Sequence, residues 1–199
     1  VNGLAWTPSD GETLTIEAIV MDGKGKLTLT GQLGDIMKES AQAALSYARS
    51  RANDFGFAPD NVDDKDIHIH VPAGAIPKDG PSAGVAMFTA LLSAFTRKPV
   101  RRDVAMTGEI SLRGAVLPIG GLKQKLLAAR REGIKTVLVP LPNKNDILDM
   151  DSRDIESLEI KYLEFVDDIL PHVFRDGGAK TAKSAKKKAS VLKPKKTKN

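Results

Sequence analysis

The chain has 199 residues, 41% hydrophobic and 28% charged, with no cysteine and a formal net charge of +5. That suits one domain of about 150 to 180 residues plus a tail, and it excludes disulfides, thiolate metal sites and a cysteine nucleophile. The positive balance is local: from Ala179 onward AKTAKSAKKKASVLKPKKTKN holds nine lysines and no acid, leaving 21 basic against 25 acidic residues elsewhere.

In chain order, VNGLAWTPSD offers neither a basic leader nor an apolar core of a signal peptide. TLTIEAIVMDGKGKLTLTG predicts two strands, Leu14 to Val20 and Lys26 to Thr30, joined by a glycine-containing turn. The next segment, GDIMKESAQAALSYARSRANDFG, sets Ile36, Ala41, Ala44, Leu45 and Ala48 at helical spacing and ends near Gly56. In KDIHIHVPAG strict alternation puts Ile67, Ile69 and Val71 on one strand face and His68 and His70 on the other. IPKDGPSAGVAMFTALLSAF gives a loop and then a helix from about Pro81 to Thr96. RRDVAMTGEISLRGAVLPIGG predicts short strands around a turn at Arg113 and Gly114. A helix follows from about Leu122 to Glu132, with a left-handed cap at Gly133. KTVLVP is a buried strand, KNDILDM a helical turn or two, and LEIKYLEFVDDILPHVF a strand and a helix.

These elements predict a compact α/β or α+β domain over residues 1–176, with short mixed sheets and hairpins packed by about four helices. Residues 177–199 read as a disordered, lysine-rich tail. The longest mostly apolar stretch, Ala83 to Phe95, has thirteen residues, too short to span a bilayer, so the expectation is a soluble, intracellular protein with no membrane partner. The tail lacks aromatics for stacking and arginines for reading guanine, which leaves at most weak, non-specific nucleic-acid contact.

Ser82 is the chemically ambiguous residue. Pro81 followed by serine is helix-start chemistry, in which the hydroxyl caps the helix. Gly80 and Gly84, however, strip side chains from both sides of the serine, and a helix start aims unpaired N–H groups at an oxyanion. A nucleophile needs a base. His68 and His70 offer a Ser-His arrangement, although the chain has no G-x-S-x-G elbow. The other choice is a lysine held neutral by burial, about 2.5 to 3 pH units below its reference value. Lys123 and Lys125 in GGLKQKLLAARREG both border the apolar face of their helix, and periodicity does not choose between them. A metal reading of the two histidines has only Asp66 as a further nearby ligand.

Three motifs together carry a resemblance. PKDGPSAG at 77–84, MTGEISLRGAVLPIGGLKQK at 106–125 and GLAWTP near the start resemble the proteolytic domain of the Lon family of ATP-dependent serine proteases, in its bacterial-type A branch. The resemblance runs from about Gly3 to Arg175 and implies the Lon-protease-domain fold. It implies Ser82 as nucleophile and Lys125 as general base, with Lys123 a surface neighbour. It further implies that the Thr107 hydroxyl contacts the base, that Glu109 and Asp79 lie near the site, and that Asp79 acts as a gate able to pair with the lysine. Gly80 and Pro81 shape the loop, His68 and His70 support it, and Trp6 is a packing anchor with influence on the site.

The resemblance also implies a cytoplasmic, bacterial enzyme that degrades unfolded, misfolded and regulatory proteins as a homo-hexamer. No G-x-x-x-x-G-K-[ST] motif occurs, so no cofactor is expected for this chain, and ATP and magnesium are expected only for the full-length enzyme. Starting at Val1, the chain reads as a fragment of that enzyme, expected to cleave small or unstructured peptides weakly without ATP. Two other functions stay open on the residues alone. One is a phosphate cradle like that of the GHMP small-molecule kinases, which Pro81 weakens by removing an N–H; the other is nucleic-acid binding through the tail.

Overall fold

A computed structural model describes residues 1–7, 10–58, 60–72 and 76–175. The lysine-rich tail lies outside the described residues. In chain order the elements are β1 (Asn2–Trp6), β2 (Gly11–Thr15), β3 (Glu17–Asp22), β4 (Leu27–Thr30), α1 (Asp35–Ser50), α2 (Ala52–Phe55), α3 (Asp60–Asp63) and β5 (Lys65–His70). After a 3-10 turn at Pro81–Ala83 come α4 (Gly84–Thr96), β6 (Val104–Met106), β7 (Glu109–Ile110), β8 (Val116–Leu117), α5 (Leu122–Arg131) and β9 (Thr136–Pro140). The chain closes with α6 (Lys144–Leu148), α7 (Ser152–Ile155), β10 (Glu159–Leu163) and α8 (Leu170–Val173). Among the described residues no helix is long and apolar enough to cross a membrane.

The strands form a five-stranded sheet in the order β10-β9-β6-β1-β2, a three-stranded sheet β3-β5-β4 and the hairpin β7-β8. In the large sheet only the β1–β2 pair is antiparallel. Its inner strands are covered on both faces, as parallel strands usually are. In β9, Leu138 joins a core built around α1 and α4, while Val137 and Val139 join a second core under α5. Helix α4 is buried on every side from Gly84 to Leu92, which explains its nearly uninterrupted apolar sequence.

The structure corrects three expectations. The strand expected from Leu14 to Val20 is two strands, broken at buried Ile16, where the chain leaves the large sheet for the small one. Strands β3 and β4, neighbours across the glycine turn, do not pair, because β5 lies between them, antiparallel to β3 and parallel to β4. Ile36, expected on the apolar face of α1, is 51% exposed; Met37 is buried in its place, ahead of Ser40, Ala41, Ala44 and Ala48. The face of β5 is as expected, with Ile67 and Ile69 fully buried.

Candidate active site

The site forms at the C-terminal ends of the parallel strands β1 and β6, where ligands of α/β sheets commonly bind. Ser82 arrives on the α4 side of the large sheet and Lys125 on the α5 side. Thr107, immediately after β6, joins them: Lys125 Nζ donates to Thr107 Oγ1 at 3.1 Å, and that hydroxyl donates to the Ser82 carbonyl at 3.3 Å. The Gly108 N–H donates to the same carbonyl at 2.8 Å, and Thr107 N is held by Leu138 O of β9 at 3.1 Å. No direct hydrogen bond links Ser82 Oγ to Lys125 Nζ.

Ser82 does not cap α4. It lies in the 3-10 turn ahead of the helix, and neither the turn nor α4 has a side-chain cap. Pro81 takes the first turn position and Gly80, at φ 117°, makes the left-handed bend into it. Gly80 has open space around it. Gly84 does not: a Cβ there would meet Ile110 Cγ2 and Ser40 Oγ at 2.9 Å each, so this glycine serves the packing of α4 and does not open the serine.

Lys125 is fully buried, and its amine has no carboxylate partner among the described residues. Desolvation alone pushes its pKa down from 10.5 to about 8. Lys123, one side chain away, is about half exposed and pairs with Asp154 at 3.3 Å. Strand β2 backs directly onto the α5 backbone at this point: a Cβ on Gly11 would lie 2.0 Å from Gln124 O.

Residues 1–176 match a family model described as the Lon protease (S16) C-terminal proteolytic domain. The chain belongs to the Lon protease family. Relatives include Lon protease of Geobacter metallireducens, 61% identical over 85% of this chain, and Lon protease 1 of Myxococcus xanthus, 62% identical over 85%. Lon protease of Brevibacillus choshinensis is 58% identical over 86%. The matched region covers 21%, 21% and 22% of those three proteins, so the chain spans about a fifth of the length of its curated Lon relatives.

The remaining residues that the Lon resemblance singled out take up varied places. A cleft of about 130 Å³ is lined by Ser82 together with Leu14, Met37, Ile76, Asp79 and Trp6. Trp6, 48% exposed, lies across Gly121 at the start of α5, where a Cβ would stand 2.3 Å from the indole. Asp79 makes no hydrogen bond or ion pair with Lys125; its Oδ1 accepts from the Met37 and Gly80 N–H groups. Glu109 pairs through its backbone with Leu117 in the β7–β8 hairpin. His68 and His70 both bond Thr30 Oγ1, at 2.8 and 2.7 Å, and do not line the cleft. Asp66 accepts from the Lys24 and Lys26 amides and so organises the β3–β4 turn.

Lys78 and Asn143 are buried polar residues to which the sequence reading gave no role of their own. Lys78 is 7% exposed and donates to Ile76 O and Gly31 O at 2.9 and 3.3 Å. Asn143, 4% exposed, accepts from Ile119 N and donates to Ile119 O, both at 3.0 Å, fastening the loop that leads into α5. No local pattern reveals its bonds to Ile119, which lies 24 residues upstream. Asn143→Leu is expected to cost roughly 2 to 3 kcal/mol by stranding both Ile119 groups, measurable as a lowered urea midpoint.

Proposed function

We propose that the chain hydrolyses peptide bonds with Ser82 as nucleophile and Lys125 as general base. The observation that carries this reading is a fully buried lysine without a carboxylate partner among the described residues, joined to the Ser82 carbonyl through one threonine hydroxyl. In the neutral form its amine accepts the Ser82 hydroxyl proton while the serine oxygen attacks the scissile carbonyl. Backbone N–H groups that follow Pro81, itself without one, take up the oxyanion. The lysine then returns the proton to the leaving amine, and water, deprotonated by the same lysine, releases the acyl group. Thr107 orients Nζ without charging it. The Ser82 Oγ to Nζ hydrogen bond is the kind of contact that tightens when substrate binds.

The larger setting belongs to the same proposal. The chain is the proteolytic portion of a bacterial, cytoplasmic, hexameric enzyme acting on unfolded and misfolded proteins, with ATP and magnesium serving the rest of that enzyme. The lysine tail makes at most weak contact with nucleic acid. The family match and the relatives favour neither the phosphate-cradle kinase nor a nucleic-acid module as the main activity.

A serine-reactive phosphonate probe tests the site. Labelling of Ser82 is expected to rise about tenfold per pH unit below pH 8 and to level off above it, following loss of the Lys125 proton. A rate flat between pH 6 and 9 would sink the lysine as base.

A further inference from the structure

The capping position ahead of helix α1 is Gly34, a residue with no side chain to cap it. The first N–H groups of a helix have no partner within the helix, so a cap must come from elsewhere. Here it comes from 45 residues downstream: Met37 N–H donates to Asp79 Oδ1 at 2.9 Å. The same oxygen accepts from Gly80 N–H at 2.8 Å, so one atom ties the start of α1 to the bend that leads into Ser82. The carboxylate also lies at the positive end of a 16-residue helix.

The backbone repeats the connection. Gly34 N–H donates to Lys78 O at 2.7 Å, and Lys78 N–H donates to Gln32 O at 3.0 Å. One turn into the helix, Ser40 Oγ donates to Pro81 O at 3.2 Å. Every residue from Lys78 to Pro81 is thereby bonded to α1 or to the segment just before it, except that Gly80 is held through Asp79.

Gly34 is not needed for its conformation. At φ −69° and ψ 173° its backbone is extended, and alanine adopts that shape without strain. It is needed for space, because a Cβ there would lie 2.2 Å from Asp79 Cγ and 2.3 Å from Oδ2. We propose that Gly34 is a positioning residue for the nucleophile: by carrying no side chain it leaves a seat at the α1 N-terminus, and the docked Asp79 carboxylate fixes the turn that presents Ser82. The proposal rests on Ser82 being the nucleophile.

Asp79 is exposed and its carboxylate can swing outward, but its Cβ would still stand 2.7 Å from the added methyl and gives only with the 78–80 backbone, so Gly34→Ala is expected to fold with its melting temperature lowered by several degrees. Hydrogen exchange at the Met37 amide should speed up at least about tenfold. Phosphonate labelling of Ser82 in the 199-residue chain should slow by about ten- to a hundredfold, with the probe's half-saturating concentration changed little. Asp79→Ala, which empties the seat without that overlap, should also slow labelling, and the double variant should be no slower than Gly34→Ala alone, because both changes empty the same seat. Wild-type labelling in Gly34→Ala, or losses that multiply in the double variant, would overturn the seat. No labelling of the unsubstituted chain would instead overturn the reading of Ser82 itself.

Discussion

Lys125→Met is expected to abolish peptidase activity and at the same time to make the folded chain more stable at pH 7. The activity loss follows from removing the proposed base, joined to the nucleophile turn through Thr107, and is expected to reach about 10⁴-fold or more in kcat. The stability gain follows from burial. In the folded chain the ammonium loses its proton near pH 8, whereas in the unfolded chain it holds the proton to about 10.5. Between those values the unfolded state binds more protons, so stability rises with pH across that window. Below pH 8 the folded chain bears the full cost of a buried cation, on the order of 3 kcal/mol. Methionine, of similar length and uncharged, removes that cost but also the Lys125–Thr107 hydrogen bond, worth about 1 kcal/mol. Urea unfolding should therefore show a gain of roughly 1 to 3 kcal/mol at pH 7 that disappears by about pH 10.5. A variant less stable at pH 7, or a gain indifferent to pH, would contradict a lysine held near neutrality by burial.

Ser82→Ala is the second large effect, and its signature is the reverse combination. Catalysis should fall by roughly 10⁶-fold, since alanine offers no nucleophile. Stability should hardly move. Ser82 is partly exposed, and its hydroxyl caps neither the 3-10 turn nor α4. A capping serine would instead cost about 1 kcal/mol when replaced by alanine. Peptide hydrolysis and a thermal melt of the same sample thus separate the two roles the local sequence allows. A melting point lowered by several degrees with activity retained would return Ser82 to the status of a helix-start residue.

The parts of this fold that were legible in the sequence are those set by local period and local turn chemistry. The buried face of β5, the extent of α5 and the left-handed Gly133 after it all depend on residues within a few positions of one another. The strand order was not legible. Nothing local to β3 or β4 announces that β5, about forty residues on, will separate them. The lysines make the same point about the site. Lys123 and Lys125 both flank the apolar stripe of α5, and the difference between a half-exposed ion pair and a fully buried amine lies with residues outside the helix, Asp154 for the one and Thr107 for the other. Gly34 and Gly11 were invisible for a related reason: each is required by a contact with a remote segment, and a glycine in an extended backbone advertises no such need.

The two cores of the domain have a consequence for how such a chain comes into being. Ser82 is anchored by α1 and α4 in one core, and Lys125 by α5 in the other, on opposite faces of the five-stranded sheet. A newly made chain that has condensed only one of them owns a serine without a base or a base without a serine. On the proposed dyad, hydrolytic power therefore requires both cores to be in place, and a half-folded copy would be harmless to the chains being made beside it.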